Sequence, residues 1–210
     1  MTKQDVAGAL IERHGTTYAE QAGIKLKDAP APLYQLLVLS VLLSARISAD
    51  VAVAAARELF KAGYRTPKAM RDAGWQQRVD ALGRGHYRRY DERTSTMLGN
   101  GAELVLDRWV GDLRRMHEEA GSTRKLEALV QEVPGIGRAG AAIFCREVQG
   151  IWPDIAPYVD AKVAQGAERV GLPRTPARLA SYAPQGAFVK LAAGCVRAAL
   201  SKDVAADVQR

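Results

Sequence analysis

Two glycines separated by one residue, Gly135 and Gly137, form a turn in which the backbone itself could bind an anion. They lie in the stretch VPGIGRAGA, between an apolar run ending at Val133 and a second one starting at Ala141. Because glycine has no Cβ, the amide N–H groups of such a turn are accessible, and they lie at the positive end of the next helix dipole. The spacing predicts a helix, a tight turn and a helix that binds phosphate, although the same turn also serves as a plain connector.

A carboxylate stands alone at the start of a later helix. Asp160 lies in the segment PYVDAKV, and the residues after it are typical of a helix that runs to about Val170. A fixed carboxylate stabilises a cationic transition state and orients a water molecule, and the helix dipole favours its ionised form. The alternative for Asp160 is an ordinary helix N-cap.

A third group combines cations with flat rings. His86, Tyr87, Arg88, Arg89 and Arg93 fall in the glycine-hinged stretch GRGHYRRYDER. Aromatic rings can wedge between bases, and guanidinium groups pair with phosphates. The alternative is a solvated, charged helix start.

The charge balance indicates a polyanionic partner. The 210 residues carry a formal net charge of +7, and their hydrophobic content of 48% is ordinary for a folded protein. Residues 61–100 contain nine Lys/Arg against four Asp/Glu, and residues 166–210 contain seven against three. Because basic patches of this kind are typical of nucleic-acid binding, we expect a nucleic-acid partner, with a solvated surface as the alternative.

The sequence gives little support for a membrane-spanning segment, a metal site or a disulfide. The strongest apolar run, residues 33–43, is interrupted by Gln35 and Ser40 and is too short to span a bilayer. Cys145 and Cys195 belong to no CxxC or Cys/His cluster, so we expect neither zinc nor an iron–sulfur cluster. The N-terminal stretch MTKQDVAGALIERHG predicts an amphipathic helix rather than a signal peptide. We therefore expect a cytoplasmic, nucleoid-associated protein.

The elements that position these residues are all predicted to be helices, because no segment shows sustained two-residue alternation. The pattern predicts helices over 3–14, 33–44, 48–63, 75–82, 91–107, 109–119, 160–170 and 185–201, a short helix opening at Thr66-Pro67, and two helices around the turn, the first capped by Ser122. Residues 150–158, with two prolines, are predicted to be extended.

Four segments in this order, LLSARIS, GRGHYRRY, VPGIGRAGA and YVDAKV, resemble the helix-hairpin-helix superfamily of base-excision DNA glycosylases, the endonuclease III-like group. In that group the turn is typically LPGVGRKTA, and an aspartate follows in a VDTHV-like segment. The likeness spans about residues 33–170, and SARIS is also similar to the SQQIS segment of the alkylbase glycosylases.

The resemblance implies a fold, an activity and a set of residues. It implies two helical lobes with a cleft, a central lobe over 31–150 and a second lobe made of 1–30 and 151–210. It implies a monomer that binds double-stranded DNA and flips a base out of the stack. Asp160 would be the catalytic residue, and the hairpin would hold phosphate, with a monovalent cation bridging carbonyl groups and phosphate. The residues implied to contact DNA are Pro134, Gly135, Ile136, Gly137, Arg138, Arg46, His86, Tyr87, Arg88, Arg89, Arg93 and Lys162.

This chain departs from the group's pattern in two ways. Where bifunctional members carry a lysine, it has Ala139, so no amine is available there for a Schiff base. Lys162 could substitute as a nucleophile, although pairing with phosphate is favoured. The group's four-cysteine iron–sulfur loop is also missing from the sequence, which predicts a protein without that cofactor.

The sequence therefore predicts a monofunctional DNA glycosylase that hydrolyses the bond to a damaged or mismatched base. One alternative is a catalytically inactive protein that recognises distorted, lesion-containing or abasic DNA. Another is a helical interaction protein whose hairpin is only structural. The target base is not specified by the sequence, and the pocket candidates near Ser44 are Glu20, Asp50, His86, Trp152 and Tyr158.

Overall fold

Helices joined by turns make up the whole chain. The computed structural model describes residues Met1–Arg210 and contains no strand, so the predicted all-α class is confirmed. The fourteen helices are α1 (Lys3–His14), α2 (Tyr18–Gln21), α3 (Pro30–Leu43), α4 (Ala49–Lys61), α5 (Pro67–Asp72), α6 (Trp75–Arg84), α7 (Asp91–Trp109), α8 (Leu113–Ala120), α9 (Thr123–Val130), α10 (Arg138–Val148), α11 (Ala161–Arg169), α12 (Pro176–Ala180), α13 (Phe188–Leu200) and α14 (Lys202–Asp207).

The chain divides into two compact units. Residues Ala19–Cys145 form one, called here the central unit, and Met1–Tyr18 together with Arg146–Arg210 form the other, called the terminal unit. The sequence placed the boundaries after residues 30 and 150, so the observed division falls earlier in the chain at both points.

The apolar helix α3 lies inside the central unit. Nine of its residues are buried, and it contacts α4, α7 and α8. Two of its buried residues, Tyr34 and Ser40, carry hydroxyl groups. Ser40 donates to the Leu36 carbonyl at 2.9 Å, and no buried side-chain oxygen or nitrogen lacks a hydrogen-bond partner. An all-round apolar sequence therefore becomes the centre of its unit, as the sequence predicted.

Side-chain caps start the helices that surround α3. Ser48 accepts a hydrogen bond from the Val51 amide, Thr66 from the Ala69 amide, and Ser122 from the Lys125 amide. Each cap satisfies an amide that the first helical turn leaves without a partner. The cap predicted at Ser122 is confirmed, and the helices predicted to start at Ser48 and Thr66 are capped in the same way.

One cation of the basic stretch 61–100 is structural. Arg78 is buried in the central unit and donates to the carbonyl oxygens of Met70, Ala73 and Ser95 at 2.6 to 3.0 Å. Burial lowers the pKa of its guanidinium. Arg78 therefore joins α5, α6 and α7 and belongs to the core, which the count of charges did not reveal.

Helix α13 is the centre of the terminal unit. It packs on α11 and α1 at two glycines where backbones approach closely: a Cβ on Gly166 would lie 1.7 Å from the Cys195 carbonyl oxygen, and one on Gly194 would lie 2.8 Å from that of Leu10. Cys195 is fully buried, and burial raises the pKa of its thiol to about 12.

Several predicted boundaries were wrong. The helix predicted over 109–119 begins only at Leu113, because Val110 takes a left-handed conformation with φ 55° and ends α7. Residues 150–158 form turns rather than an extended segment. The short helices α2, α12 and α14 were not predicted. None of the helices combines the length and apolarity needed to cross a membrane.

Candidate nucleic-acid site

The turn between α9 and α10 has the geometry that its sequence predicted. Val133 and Ile136 are buried, and the Ile136 amide donates to the Val133 carbonyl at 3.0 Å. Gly135 has φ +90°, and a Cβ there would meet Met97 Sδ at 3.0 Å and Val41 Cγ1 at 3.2 Å. Both the backbone conformation and the packing therefore require glycine at 135.

The exposed side of this turn carries backbone donors without partners. The amides of Gly135, Gly137, Arg138 and Ala139 make no hydrogen bond within the protein. All four residues are exposed, and no atom lies within 4 Å of where a Gly137 Cβ would be. These amides belong to exposed residues at the start of an eleven-residue helix, where an anion is favoured. Ile136 holds the turn on the core and offers only its backbone.

A cavity of about 260 Å³ lies beside the turn within the central unit. We call it the arginine pocket. Four of the predicted DNA-contacting residues line it, namely Arg46, Tyr87, Arg93 and Gly135. Its full lining is Val41, Ser44, Ala45, Arg46, Tyr87, Tyr90, Arg93, Thr94, Met97 and Gly135. The SARIS segment, the basic loop and the hairpin, which are far apart in sequence, therefore meet around one concave surface.

The loop at 85–87 exposes a histidine between two buried neighbours. Gly85 lies against α4, where a Cβ would come within 2.4 Å of Ala55 Cα. Tyr87 is fully buried, and its hydroxyl accepts a hydrogen bond from Thr94 Oγ1 at 3.3 Å. His86 between them has φ 63° and is exposed. Its left-handed conformation at a loop tip is uncommon for a residue other than glycine.

The wedge role predicted for Tyr87 is wrong. Its ring lines the arginine pocket from inside the core, where burial raises the pKa of the phenol. A ring held in this way cannot enter a base stack without unpacking its unit. His86 is the member of the predicted pair whose ring is free to do so.

The predicted cations on this surface differ from other arginines of the same unit. Arg46, Arg88, Arg93 and Arg138 are exposed and make no ion pair, and Arg89 only stacks on the Tyr90 ring at 5.3 Å. By contrast, two arginines elsewhere in the unit are neutralised by carboxylates. Arg108 pairs with Glu119 and Glu132, and Arg114 pairs with Asp112. The surface around the turn thus keeps positive charge available for an external anion.

In the terminal unit, both oxygens of Asp160 have partners. Oδ1 accepts a hydrogen bond from the Val163 amide at 2.9 Å, which makes Asp160 the N-cap of α11. Oδ2 lies 2.5 Å from Arg146 Nη1. The two side chains are only 9% and 5% exposed. The carboxylate is therefore held in one orientation and its charge is balanced by a buried guanidinium.

The segment that carries Asp160 is tied to α10 by an amide. Gln149 Oε1 accepts from the Tyr158 amide at 2.8 Å, while its Nε2 donates to the carbonyl oxygens of Arg146 and Tyr158. Lys162 lies on the exposed side of α11, where its ammonium donates to Gln165 Oε1 at 3.0 Å. Lys162 and Asp160 make no hydrogen bond to each other.

Sequence reasoning missed Arg146 and Gln149. The signal was present, because Arg146 follows Phe144-Cys145 in an apolar helical run, where an arginine needs a buried partner. Tyr90 and Met97, which line the arginine pocket, gave no such signal.

Of the pocket candidates, Trp152 is buried, Tyr158 is half-buried, and Glu20 and Asp50 are exposed. None of these four lines the arginine pocket.

Comparison with known proteins places the fold. No family model matches the sequence, and no curated protein matches it. A solved structure of endonuclease III trapped covalently on DNA, with an estranged adenine, aligns over 93% of this chain and 85% of its own, with a TM-score of 0.50 and 17% sequence identity. The fold resembles that of endonuclease III. At this identity the likeness concerns the fold, and the roles of individual residues depend on their geometry in this chain.

Proposed function

We propose that this protein is a DNA glycosylase that hydrolyses the bond between a flipped base and its sugar. In that reaction the C1′–N bond breaks with its electron pair going to the base, a water oxygen bonds to C1′, and the water's proton ends on the released base. The transition state is cationic at the sugar, so a fixed carboxylate stabilises it. Asp160 is the residue proposed for this role.

The observation that carries the proposal is the convergence around the hairpin. The free amides of Gly135 and Gly137 lie beside a cavity lined by Arg46 and Arg93, and all of these groups favour anions. Phosphate contacts of this kind fix a protein on a duplex without reading sequence. The carbonyl groups of Pro134 and Gly135 accept no hydrogen bond, so they are available to a monovalent cation beside that phosphate.

Residues 139 and 162 favour hydrolysis over lyase chemistry. Ala139 is exposed in the first turn of α10 and has no nucleophile. The Lys162 ammonium is exposed and bound to Gln165, and nothing in its surroundings desolvates it as a Schiff-base lysine requires. Pairing with phosphate is the role proposed for Lys162.

A panel of duplexes, each with one damaged or mismatched base, tests the activity. We expect at least one duplex to lose its base, with strand breaks appearing only after alkali treatment. We also expect borohydride to trap no covalent complex, because residue 139 is alanine and not the lysine that would form a Schiff base. Strand breaks without alkali would contradict the monofunctional proposal, and no base release from any duplex would contradict the glycosylase itself.

The second candidate function is recognition of damaged DNA without bond breaking. The ion pair between Asp160 and Arg146 favours it, because a balanced carboxylate stabilises a neighbouring cation less than a free one does. This candidate predicts selective binding to one lesion or to abasic DNA, with no base released. Binding and base release measured on the same duplexes distinguish the two functions.

A further inference from the structure

We propose that the central unit has a second anion site, which binds a chain of linked phosphate groups and is separate from the hairpin surface. The site is a cavity of about 540 Å³ formed by the loop after α2, the first turns of α3 and the last turn of α4. We call it the basic pocket. Among its ten lining residues are Lys25, Lys27, Gln35, Arg57, Lys61 and Arg65. The proposal does not depend on glycosylase activity.

The charge of the basic pocket has one sign. Five of its ten lining residues are lysine or arginine, and none is acidic. Lys25 and Lys27 are exposed and make no ion pair or side-chain hydrogen bond. Lys61 Nζ approaches Glu58 only at 4.0 Å, and that carboxylate also lies 3.2 Å from Arg84. The cations of the pocket are therefore left largely uncompensated by the protein.

Backbone contacts orient the two arginines of the basic pocket. Arg65 Nε donates to the Phe60 carbonyl at 2.8 Å, and an Arg57 Nη donates to the Gln21 carbonyl. Each guanidinium has five N–H donors, so each keeps donors for a ligand after these contacts. A guanidinium held in place loses less conformational entropy when it binds a phosphate oxygen.

Like charges gathered in one concavity repel each other and concentrate anions there. A single phosphate would reach only some of five cations, whereas linked phosphates carry several charges along one chain. The cavity volume also lies within the range of about 300 to 1,000 Å³ that is common for small-ligand sites. The ligand class that fits is an oligophosphate, either free or carried by a nucleotide.

The basic pocket and the arginine pocket share no residue and use opposite sides of α3. Gln35 lines the first and Ser44 the second. They are about two and a half helical turns apart, which at 3.6 residues per turn places them on opposite faces of the helix. Pro32 and Val41 repeat the same spacing. A straight duplex on the hairpin surface would therefore not cover the basic pocket.

Calorimetric titration of the full chain with sodium tripolyphosphate tests the proposal, with ATP as a second probe. Lys25→Ala/Lys27→Ala removes two exposed charges, and Arg88→Ala/Arg89→Ala is the matched control on the other surface. We expect saturable binding of tripolyphosphate that weakens about tenfold or more in the first variant and changes by less than about twofold in the second. Binding to duplex DNA should weaken in Arg88→Ala/Arg89→Ala and change by less than about twofold in Lys25→Ala/Lys27→Ala.

Either order of affinity between the two probes supports the site, and tighter ATP binding would identify a nucleotide as the source of the phosphates. Absence of saturable binding by wild type near about 50 mM salt would overturn the proposal. Equal weakening by the two variants would also overturn it. So would loss of duplex binding in Lys25→Ala/Lys27→Ala, because the pocket would then be part of the DNA surface. No outcome depends on base release.

Discussion

Both oxygens of the Asp160 carboxylate are engaged inside the terminal unit, and this defines the chemistry open to the residue. The Val163 amide and the Arg146 guanidinium fix the direction of the carboxylate. Because the pair is buried, each charge is stable only while its partner is present, since an unpaired buried charge is strongly unfavourable. Arg146 is therefore a positioning residue for Asp160 in either proposed function.

At the residue scale, replacing Arg146 should be far more damaging than replacing an exposed arginine of the same unit. Arg146→Gln leaves Asp160 buried without its partner, so we expect the free energy of unfolding to fall by roughly 3 to 5 kcal/mol. Arg174→Gln breaks a pair in which both side chains are 62% exposed, and we expect a loss below about 1 kcal/mol. Urea denaturation of both variants measures the difference.

Equal losses in these two variants would show that the Arg146–Asp160 pair contributes nothing beyond a surface pair. Arg146→Lys adds a further comparison, because it keeps the charge but not the planar guanidinium. Arg146→Lys should recover part of the free energy of unfolding that Arg146→Gln loses.

At the element scale, the two glycines of the hairpin turn lie in different surroundings although only one residue separates them. Gly135 is constrained by its φ of +90° and by Met97, whereas Gly137 has open space around it. The sequence predicted this turn well, because proline, two glycines and the flanking apolar runs act locally. It could not predict that Ile136 would be buried, since that depends on the core of the central unit.

The two glycines should therefore respond differently to alanine. Gly135→Ala forces an alanine into a left-handed conformation against Met97, and we expect it to reduce the free energy of unfolding by about 1 to 2 kcal/mol. Gly137→Ala should change it by less than about 0.5 kcal/mol but should weaken duplex binding, because its Cβ points to where phosphate would lie. Thermal unfolding and fluorescence anisotropy measure the two effects.

A large loss of stability in Gly137→Ala, or unchanged duplex binding, would contradict the assignment of its exposed amide to phosphate. In Gly135→Ala, full stability would contradict the packing argument.

At the scale of the whole molecule, the all-α class and most helices followed from periodicity and caps, while long-range contacts did not. The convergence of Arg46, Arg93 and Gly135 on one cavity depends on how α3, α7 and the hairpin pack. The burial of Tyr87 depends on the same packing. Charge counting over residues 61–100 included the core residue Arg78 and overlooked Lys25 and Lys27 of the basic pocket.

The distribution of unpaired cations predicts the salt dependence of duplex binding. Each phosphate contact adds about 0.9 to the slope of log affinity against log salt concentration. We expect Arg88→Ala/Arg89→Ala to flatten the slope by up to about 2. Lys68→Ala is the control, because Lys68 pairs with Asp72 in the same unit and its loss should leave the slope unchanged. Equal slopes for wild type and the double variant would remove the basic loop from the DNA surface.

The rate of base release by wild type and by Asp160→Asn, measured in a single turnover on a duplex that wild type processes, tests the central claim most directly. Asparagine keeps the oxygen that caps α11 and removes the negative charge. We expect the rate to fall by at least about a hundredfold, with duplex binding changed by less than about threefold because phosphate contacts position the protein. Since the substitution also leaves Arg146 unpaired, the rates are compared at a temperature where circular dichroism shows both proteins folded. A folded Asp160→Asn variant that releases the base as fast as wild type would contradict the account.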